Sequence, residues 1–213
     1  MSTASICVLA LTAASAGAFS AGRPATALAR ASAIRRVHSS PSLQMNIFNQ
    51  LMGGGYAEPC VMGDESIMSE KAHGTSDVPV QESLRWNCDR ETADRICNFN
   101  RHYAEYAGYW DGATSFLKEE GPESGEITFY DSNTGKPLFV APRGRSWEDF
   151  VRESKAHGWP SFRDEETIWD DVRVLPNGEA VSLAGTHLGH NLPDGKGNRY
   201  CINLVSVAGK PQQ

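Results

Sequence analysis

Hydrophobic and polar positions alternate in several short runs between about residues 125 and 209, the pattern of half-buried β-strands. A hairpin is predicted where the alternation of residues 126–130 meets a turn signal at 131–135 and an apolar run from Pro137. A second hairpin is predicted from the runs 172–175 and 179–183, which flank an Asn-Gly turn. A last strand is predicted from Tyr200 to Val205. The pattern indicates a compact, mainly antiparallel β domain.

Two helices are predicted beside these strands. The first begins at a capping Asp89 and carries an aromatic and aliphatic stripe that we expect to pack in the core, formed by Ile96, Phe99, Tyr103 and Tyr106. The second begins at Ser146, which with Asp149 resembles a capping box, and runs to about Lys155.

The first 83 residues have a different composition. No Asp or Glu occurs before Glu58, and an apolar run from Ile6 to Ala18 is too short to span a bilayer. An acid-free, Ser-, Ala- and Arg-rich stretch follows, so we predict a two-part targeting peptide over 1–45, of the kind that directs proteins to plastids. A plain secretory signal and a mitochondrial presequence are the alternatives. Residues 46–83 are predicted to be a flexible linker, and residues 84–209 the folded domain.

Charge and cysteine content exclude several classes of protein. The 213-residue chain has a net charge of −6 and no cluster of Lys and Arg in its mature part, which argues against a nucleic-acid partner. None of the five cysteines forms a Cys-x-x-Cys pair, which argues against a zinc ribbon or a thioredoxin-type motif.

The last predicted strand holds the most reactive combination of side chains. Alternation places Arg199, Cys201 and Asn203 on one face and Tyr200, Ile202 and Leu204 on the other. A neighbouring guanidinium favours the thiolate form of a cysteine, and the thiolate is the nucleophile. The preceding Gly- and Pro-rich turn can fold His187, His190 and Asp194 over that thiol. The competing interpretation is an inert buried cysteine.

Four motifs in this region resemble those of the B-type methionine sulfoxide reductases, which reduce methionine-R-sulfoxide. The motifs are Gly-Trp-Pro-Ser-Phe at 158–162, His-Leu-Gly-His at 187–190, Asp-Gly at 194–195 and Arg-Tyr-Cys-Ile-Asn at 199–203. The resemblance is continuous from about Gly125 to Ala208 and weaker from about Leu84 to Tyr109, where it includes Ala104-Glu105-Tyr106. It implies two antiparallel sheets rolled into a barrel-like core with flanking helices.

The resemblance also implies a reaction and a role for each motif residue. Cys201 would attack the sulfoxide sulfur and become a sulfenic acid, with protons from His187 and His190. Arg199 would stabilise negative charge, and Asp194 and Asn203 would orient the imidazoles and the backbone. Trp159 would pack against the substrate methyl group, and Phe162 would complete the substrate-binding residues. The implied substrates are oxidised proteins or free methionine sulfoxide, and the implied reductant is thioredoxin or another dithiol.

This sequence departs from the family at three places. The segment between Phe139 and Gly158 is longer than usual and contains the second predicted helix. Many relatives hold a structural zinc ion with four cysteines, whose positions here carry Asp131, Thr134, Val181 and Ala184, so we predict no metal and no other cofactor. The usual resolving cysteine, just before the Gly-Trp-Pro-Ser-Phe motif, is replaced by His157.

The sequence therefore does not identify the thiol that would react with the oxidised Cys201. Cys97 is the first candidate and Cys88 the second, and direct attack by an external thiol is the alternative. We predict a monomeric plastid reductase with no membrane span in the mature protein. The competing hypothesis is a non-catalytic module of the same fold that senses sulfoxides or assists a plastid complex.

Overall fold

The computed structural model describes residues 56–212. A two-stranded antiparallel sheet pairs β1 (Ile127–Tyr130) with β2 (Pro137–Ala141). The second sheet has the order β3-β7-β6-β5-β4, and all its neighbouring strands are antiparallel. Its strands are β3 (Ser161–Phe162), β4 (Val172–Val174), β5 (Glu179–Ser182), β6 (His187–Asn191) and β7 (Tyr200–Ile202). The predicted mainly β fold, with two antiparallel sheets and a few flanking helices, is confirmed.

The helices of the described chain are short. They are α1 (Arg90–Asp94), α2 (Tyr109–Gly112), α3 (Phe116–Glu119) and α4 (Trp147–His157), and a π-helical turn, Arg95–Phe99, continues α1. Single 3₁₀ turns occur at Glu65–Met68, Arg85–Asn87, Pro122–Ser124, Asp164–Glu166 and Leu204–Ser206. Both predicted N-caps are present, because Asp89 accepts a hydrogen bond from the Thr92 amide and Ser146 accepts one from the Asp149 amide. No helix in residues 56–212 is long and apolar enough to cross a membrane.

The predicted aromatic stripe on the first helix is wrong. Ile96 is buried, but Phe99, Tyr103 and Tyr106 are 60%, 42% and 64% exposed. The helix ends because Asn100 leaves the helical region of backbone space, with φ −145° and ψ 85°. The residues that follow form a loop, so the spacing that matched a helix does not place their side chains on one buried face.

An aromatic cluster joins the two sheets and α4. Phe162 of β3 stacks on Phe139 of β2 with ring centroids 4.4 Å apart, and its edge meets Phe129 of β1 at 4.9 Å. Phe150 of α4 packs on both Phe129 and Phe162. This packing fixes the Gly-Trp-Pro-Ser-Phe segment against the end of the second sheet.

The prediction of a flexible linker is wrong over 56–83, the part that the structure describes. Cys60, Met68 and Val80 are buried in the core, and Val61 and Gly63 exchange backbone hydrogen bonds with Val174 at 3.0 and 2.9 Å. Polar residues of this segment find specific partners, which compensates for its low apolar content. The predicted targeting peptide and residues 46–55 lie outside the described residues.

The last predicted strand is shorter than expected. β7 ends at Ile202, and Leu204–Ser206 forms a 3₁₀ turn. Within the strand the predicted alternation is confirmed, because Tyr200 and Ile202 are completely buried in the core while Cys201 is partly exposed on the other face.

Candidate active site

A cavity of about 260 Å³ lies over the exposed face of β6 and β7. Its floor is formed by His187, His190, Cys201 and Asn203, together with Gly189. Its walls come from Trp159 and from the loop Arg101–Ala104, and Leu192 lies at its edge. Trp159, His187, His190, Cys201 and Asn203 were all predicted from sequence, and the structure brings them into one cavity.

Cys201 stands between two neighbouring strands. It is paired with His190 of β6 on one side and with Ser161 of β3 on the other. Burial raises the pKa of its thiol above the ordinary 9.0, the guanidinium of Arg199 works in the opposite direction, and the carboxylate of Glu105 adds to the rise. The resting cysteine is therefore mainly a thiol with a cation beside it.

Arg199 links the nucleophile to the turn that follows β6. Its guanidinium lowers the pKa of the Cys201 thiol, and its Nε lies 3.5 Å from Oδ2 of Asp194. Asp194 also accepts hydrogen bonds from both terminal nitrogens of Arg163, at 3.1 and 2.7 Å. Its Oδ1 also accepts from the Lys196 amide at 2.8 Å. Its partners are therefore guanidinium groups and backbone, so the expectation that Asp194 orients the imidazoles is wrong. Through Arg199 it instead orients the cation at the thiol.

His187 is held by a carboxylate that sequence reasoning missed. Its Nδ1 lies 2.8 Å from Oε1 of Glu179 on the neighbouring strand, and both side chains are almost completely buried. Arg101 donates to the same carboxylate from its Nε, at 3.0 and 3.1 Å, and from its terminal Nη2. Burial alone would raise the pKa of Glu179, but the hydrogen bonds from His187 and Arg101 bring it down to about 2.

His190 is the second imidazole of the site. Its ring centroid lies 5.7 Å from that of His187, and it is partly exposed to the cavity. Burial, the neighbouring His187 and His102 lower the pKa of His190, although Glu179 partly offsets them. The neutral form of this ring is therefore favoured more than in an ordinary histidine.

Trp159 and Asn203 share one anchor. The indole Nε1 of Trp159 donates to the carbonyl oxygen of Glu105 at 3.0 Å, and Oδ1 of Asn203 accepts from the Glu105 amide at 3.1 Å. Asn203 also donates from Nδ2 to the Leu188 carbonyl at 3.1 Å, so it does orient backbone at the site. The Trp159 ring and the Asn203 amide are thereby fixed relative to each other.

Phe162, the other predicted substrate-binding residue, is not part of the cavity. Cross-strand partners share a face of a sheet, and Phe162 is paired with Tyr200, whereas Ser161 is paired with Cys201. Phe162 therefore points into the core with Tyr200 and is fully buried there. Its motif position supports packing and does not provide substrate contact.

The three remaining cysteines of the described chain lie outside this cavity. Cys97 is completely buried with its sulfur 3.5 Å from Oγ of Ser206, and Cys88 is 8% exposed. Burial raises the pKa of both thiols. Cys60 is buried in the core on the side of Tyr200, and burial raises its pKa to about 11.

The positions that correspond to zinc ligands in relatives do not fit a metal ion here. Val181 is an apolar core residue. Asp131 is fully buried, and both its oxygens accept hydrogen bonds from the Thr186 hydroxyl, at 2.9 and 3.0 Å. Burial raises the pKa of this carboxyl. A hydrogen-bond network therefore joins the two loops that a zinc ion would otherwise bridge.

Comparison with known proteins agrees with this arrangement. No family model matches the chain. A peptide methionine sulfoxide reductase MsrB from Methanosarcina barkeri is 32% identical over 104 residues, which are 44% of this chain and 72% of the relative. The MsrB of Methanosarcina mazei is 32% identical over 99 residues, 41% of this chain and 69% of the relative. The chain belongs to the MsrB family.

Membership of the MsrB family accounts for the motifs but not for every residue of this site. Glu179 and Arg101 were missed because nothing local in the sequence ties them to His187. Glu105 was noticed as part of the family resemblance, without a role. For Glu105, the available signal was an acidic residue between Tyr103 and Tyr106.

Proposed function

We propose that this protein reduces methionine-R-sulfoxide to methionine with Cys201 as the nucleophile. The observation that carries the proposal is the placement of the Cys201 thiol beside Arg199 on the floor of a cavity that also holds two imidazoles and an indole wall. A thiol that is partly exposed, next to a cation and within a cavity, differs from the three buried thiols of residues 56–212.

The cavity suits a small side chain with one polar group. Trp159 and Leu192 provide apolar surface for the methyl group and methylene carbons of the substrate. His187, His190 and Asn203 supply hydrogen-bonding groups for the sulfoxide oxygen. This arrangement supports methionine sulfoxide, in a peptide or free, as the substrate.

The proposed reduction of the sulfoxide by the Cys201 thiolate consumes one proton. The Cys201 thiolate attacks the sulfoxide sulfur while the sulfoxide oxygen takes a proton from His190 or His187. Transfer of that hydroxyl to the cysteine sulfur releases methionine and leaves a Cys201 sulfenic acid, so the cysteine is oxidised as the sulfoxide is reduced. Arg199 stabilises the thiolate that begins the step.

Regeneration is proposed to use an external dithiol of the thioredoxin type. Its first thiol condenses with the sulfenic acid to form a mixed disulfide and water, and its second thiol releases the Cys201 thiol. The burial of Cys88 and Cys97, and their position outside the cavity, support direct attack on Cys201 over an internal disulfide. Cys97 remains the in-chain candidate that mutation can test.

Further parts of the proposal rest on the sequence. The acid-free N-terminal stretch supports a plastid location. We also propose a monomer that acts on oxidised proteins. The residues at the zinc positions support a fold that needs no metal.

The test is turnover of the separate R and S diastereomers of N-acetyl-methionine sulfoxide by the full chain, with dithiothreitol or thioredoxin as reductant. We expect reduction of the R form, none after Cys201→Ser, and continued turnover after Cys97→Ser and Cys88→Ser. Cys60→Ser is the matched control, because this thiol is buried in the core on the side of Tyr200. Stoichiometric oxidation of Cys201 by the sulfoxide without turnover in dithiothreitol would favour the non-catalytic module instead.

A further inference from the structure

Glu105 is a buried carboxylate in an otherwise exposed loop. It is 3% exposed, while Tyr103 and Tyr106 on either side are 42% and 64% exposed. Burying a charged group is unfavourable unless hydrogen bonds compensate for the lost hydration. The partners of Glu105 therefore indicate why the loop turns this side chain inward.

The carboxylate of Glu105 accepts hydrogen bonds from the turn that follows β7. Its Oε1 accepts from the Leu204 amide at 2.9 Å, and its Oε2 accepts from the Val205 amide at 3.1 Å. These two amides begin the 3₁₀ turn that ends β7, where the chain leaves the ladder of the sheet. One carboxylate thus fixes the backbone just beyond Cys201.

The backbone of Glu105 forms hydrogen bonds with two side chains of the cavity. Its amide donates to Oδ1 of Asn203 and its carbonyl accepts from Nε1 of Trp159, at 3.1 and 3.0 Å. The indole wall, the amide on the floor and the turn after the nucleophile are therefore all attached to one residue. None of these four hydrogen bonds is local in sequence, because the partners lie 54 to 100 residues away.

The charge of Glu105 also reaches the nucleophile. Burial raises the pKa of this carboxyl to about 7, against the two amide donors, and its negative charge contributes to the raised pKa of Cys201. Arg199, adjacent to the thiol, acts in the opposite direction. Removal of the Glu105 charge is therefore expected to make the thiol more acidic, while loss of the hydrogen bonds disorders the cavity.

We propose that Glu105 is a positioning residue that holds Trp159, Asn203 and the turn after Cys201 in the geometry that sulfoxide reduction needs. The measurement of kcat rests on the proposed function, whereas the measurement of the alkylation rate of Cys201 does not. Loss of the geometry lowers kcat, and loss of the charge speeds alkylation of Cys201. A general loss of structure would instead expose the thiol and speed alkylation whether or not the charge is kept.

The test compares Glu105→Gln and Glu105→Asp in the full chain. Gln is neutral and can accept from only one of the two amides, and Asp keeps the charge but is too short to reach both. We expect kcat for the R-sulfoxide to fall about tenfold in each variant, the effect of one or two lost hydrogen bonds. Alkylation of Cys201 by iodoacetamide at pH 8 is expected to be about twofold faster in Glu105→Gln. In Glu105→Asp the alkylation rate is expected to stay as in the wild type.

Glu91→Gln is the matched control, since this exposed carboxylate on α1 changes the net charge equally and is expected to change neither rate. The proposal is supported if both variants lose kcat while Cys201 alkylation is faster in Glu105→Gln and unchanged in Glu105→Asp. It is overturned if either variant keeps the wild-type kcat, or if alkylation follows any other pattern, including an increase in both variants.

Trp159→Phe provides the test if the Glu105 variants do not fold, as judged by near-ultraviolet circular dichroism. It keeps an aromatic wall, although a smaller one, and deletes the indole donor to the Glu105 carbonyl. A kcat reduced severalfold at unchanged Cys201 alkylation supports the proposal, and an unchanged kcat overturns it. If the wild-type chain reduces no sulfoxide, the proposed function fails. The alkylation rates of the Glu105 variants then decide the inference alone: faster in Gln and unchanged in Asp supports it, and any other result overturns it.

Discussion

Nδ1 of His187 lies 2.8 Å from Oε1 of Glu179, and both side chains are buried beneath the cavity. A carboxylate at Nδ1 favours the tautomer that carries its proton there, so Nε2 is the nitrogen left for the substrate. Arg101 fixes the carboxylate from the other side. The orientation of this imidazole is therefore determined by a strand pairing and an ion pair, independently of the substrate.

Glu179→Gln is expected to reduce kcat about tenfold, because the amide can no longer fix the tautomer and orientation of His187. It is also expected to lower the free energy of unfolding by about 2–3 kcal/mol, since Arg101 and His187 lose a buried partner. Steady-state kinetics and urea unfolding measure the two effects. Glu126→Gln, which breaks an exposed ion pair with Arg143, is the control and is expected to change neither. An unaltered kcat in a folded Glu179→Gln protein would show that this pair is only structural.

The pH dependence of Cys201 oxidation reports on the pair of His190 and Cys201. The reactive form needs a thiolate and a protonated imidazole, while burial lowers the pKa of His190 below 6.5 and raises that of Cys201 above 9.0. The fraction in this form rises with pH up to the His190 pKa, stays level, and falls above the Cys201 pKa. We expect a broad, bell-shaped pH profile for the single-turnover rate of methionine release. In His190→Gln the rate is expected to rise continuously to the Cys201 pKa, and persistence of the bell would assign the proton donor elsewhere.

Asp194 is expected to act on Cys201 only through Arg199. Asp194→Asn and Arg199→Lys are each expected to slow alkylation of Cys201 severalfold, because the cation beside the thiol is displaced in the first and replaced by a compact ammonium group in the second. A double-mutant cycle measures their coupling, which is expected to be about 1 kcal/mol in the activation free energy. A second cycle with Asp194→Asn and His187→Gln is the control and is expected to be additive. Coupling to His187 instead of Arg199 would restore the role first expected for Asp194.

Gly189 is required by the close approach of β6 and β7. Its φ is +156°, and an added Cβ would lie 2.1 Å from the carbonyl oxygen of Cys201. Gly189→Ala is therefore expected to lower the free energy of unfolding by about 3 kcal/mol and to displace Cys201, measured by urea unfolding and alkylation. Gly195→Ala, in the turn that follows β6, is the control because an added Cβ there meets nothing within 4 Å. Equal stability of the two variants would mean that the strands can separate without cost.

Local sequence patterns were sufficient to predict the hairpins, the helix starts and the face of β7 on which Cys201 lies. Both hairpins, the two helix caps and the alternation of Tyr200, Cys201 and Ile202 depend on neighbours in sequence, and each was predicted correctly. The predicted helix stripe failed at Asn100, where periodic spacing continues although the backbone does not. Spacing alone carries no information about where a helix ends.

The features that local patterns did not predict depend on the register between strands that are distant in sequence. Whether Phe162 or Ser161 shares the face of Cys201 depends on the pairing of β3 with β7, nearly forty residues apart in the chain. The partner of His187 likewise depends on the irregular pairing of β5 with β6, which places Glu179 opposite His190 and Val181 opposite His187. A shift of one residue in either pairing would exchange the core and cavity faces.

The backbone contact between Val174 and residues 61–63 also has a consequence for the behaviour of the protein in solution. β4 lies at the end of the second sheet, so its outer backbone groups would otherwise face water unpaired. Such a rim is a template on which a second molecule can add a strand, the first step of ordered aggregation. By hydrogen-bonding Val174, Val61 and Gly63 take the place that a foreign chain would occupy. The segment that composition described as a linker thus helps to keep the protein dispersed at high concentration.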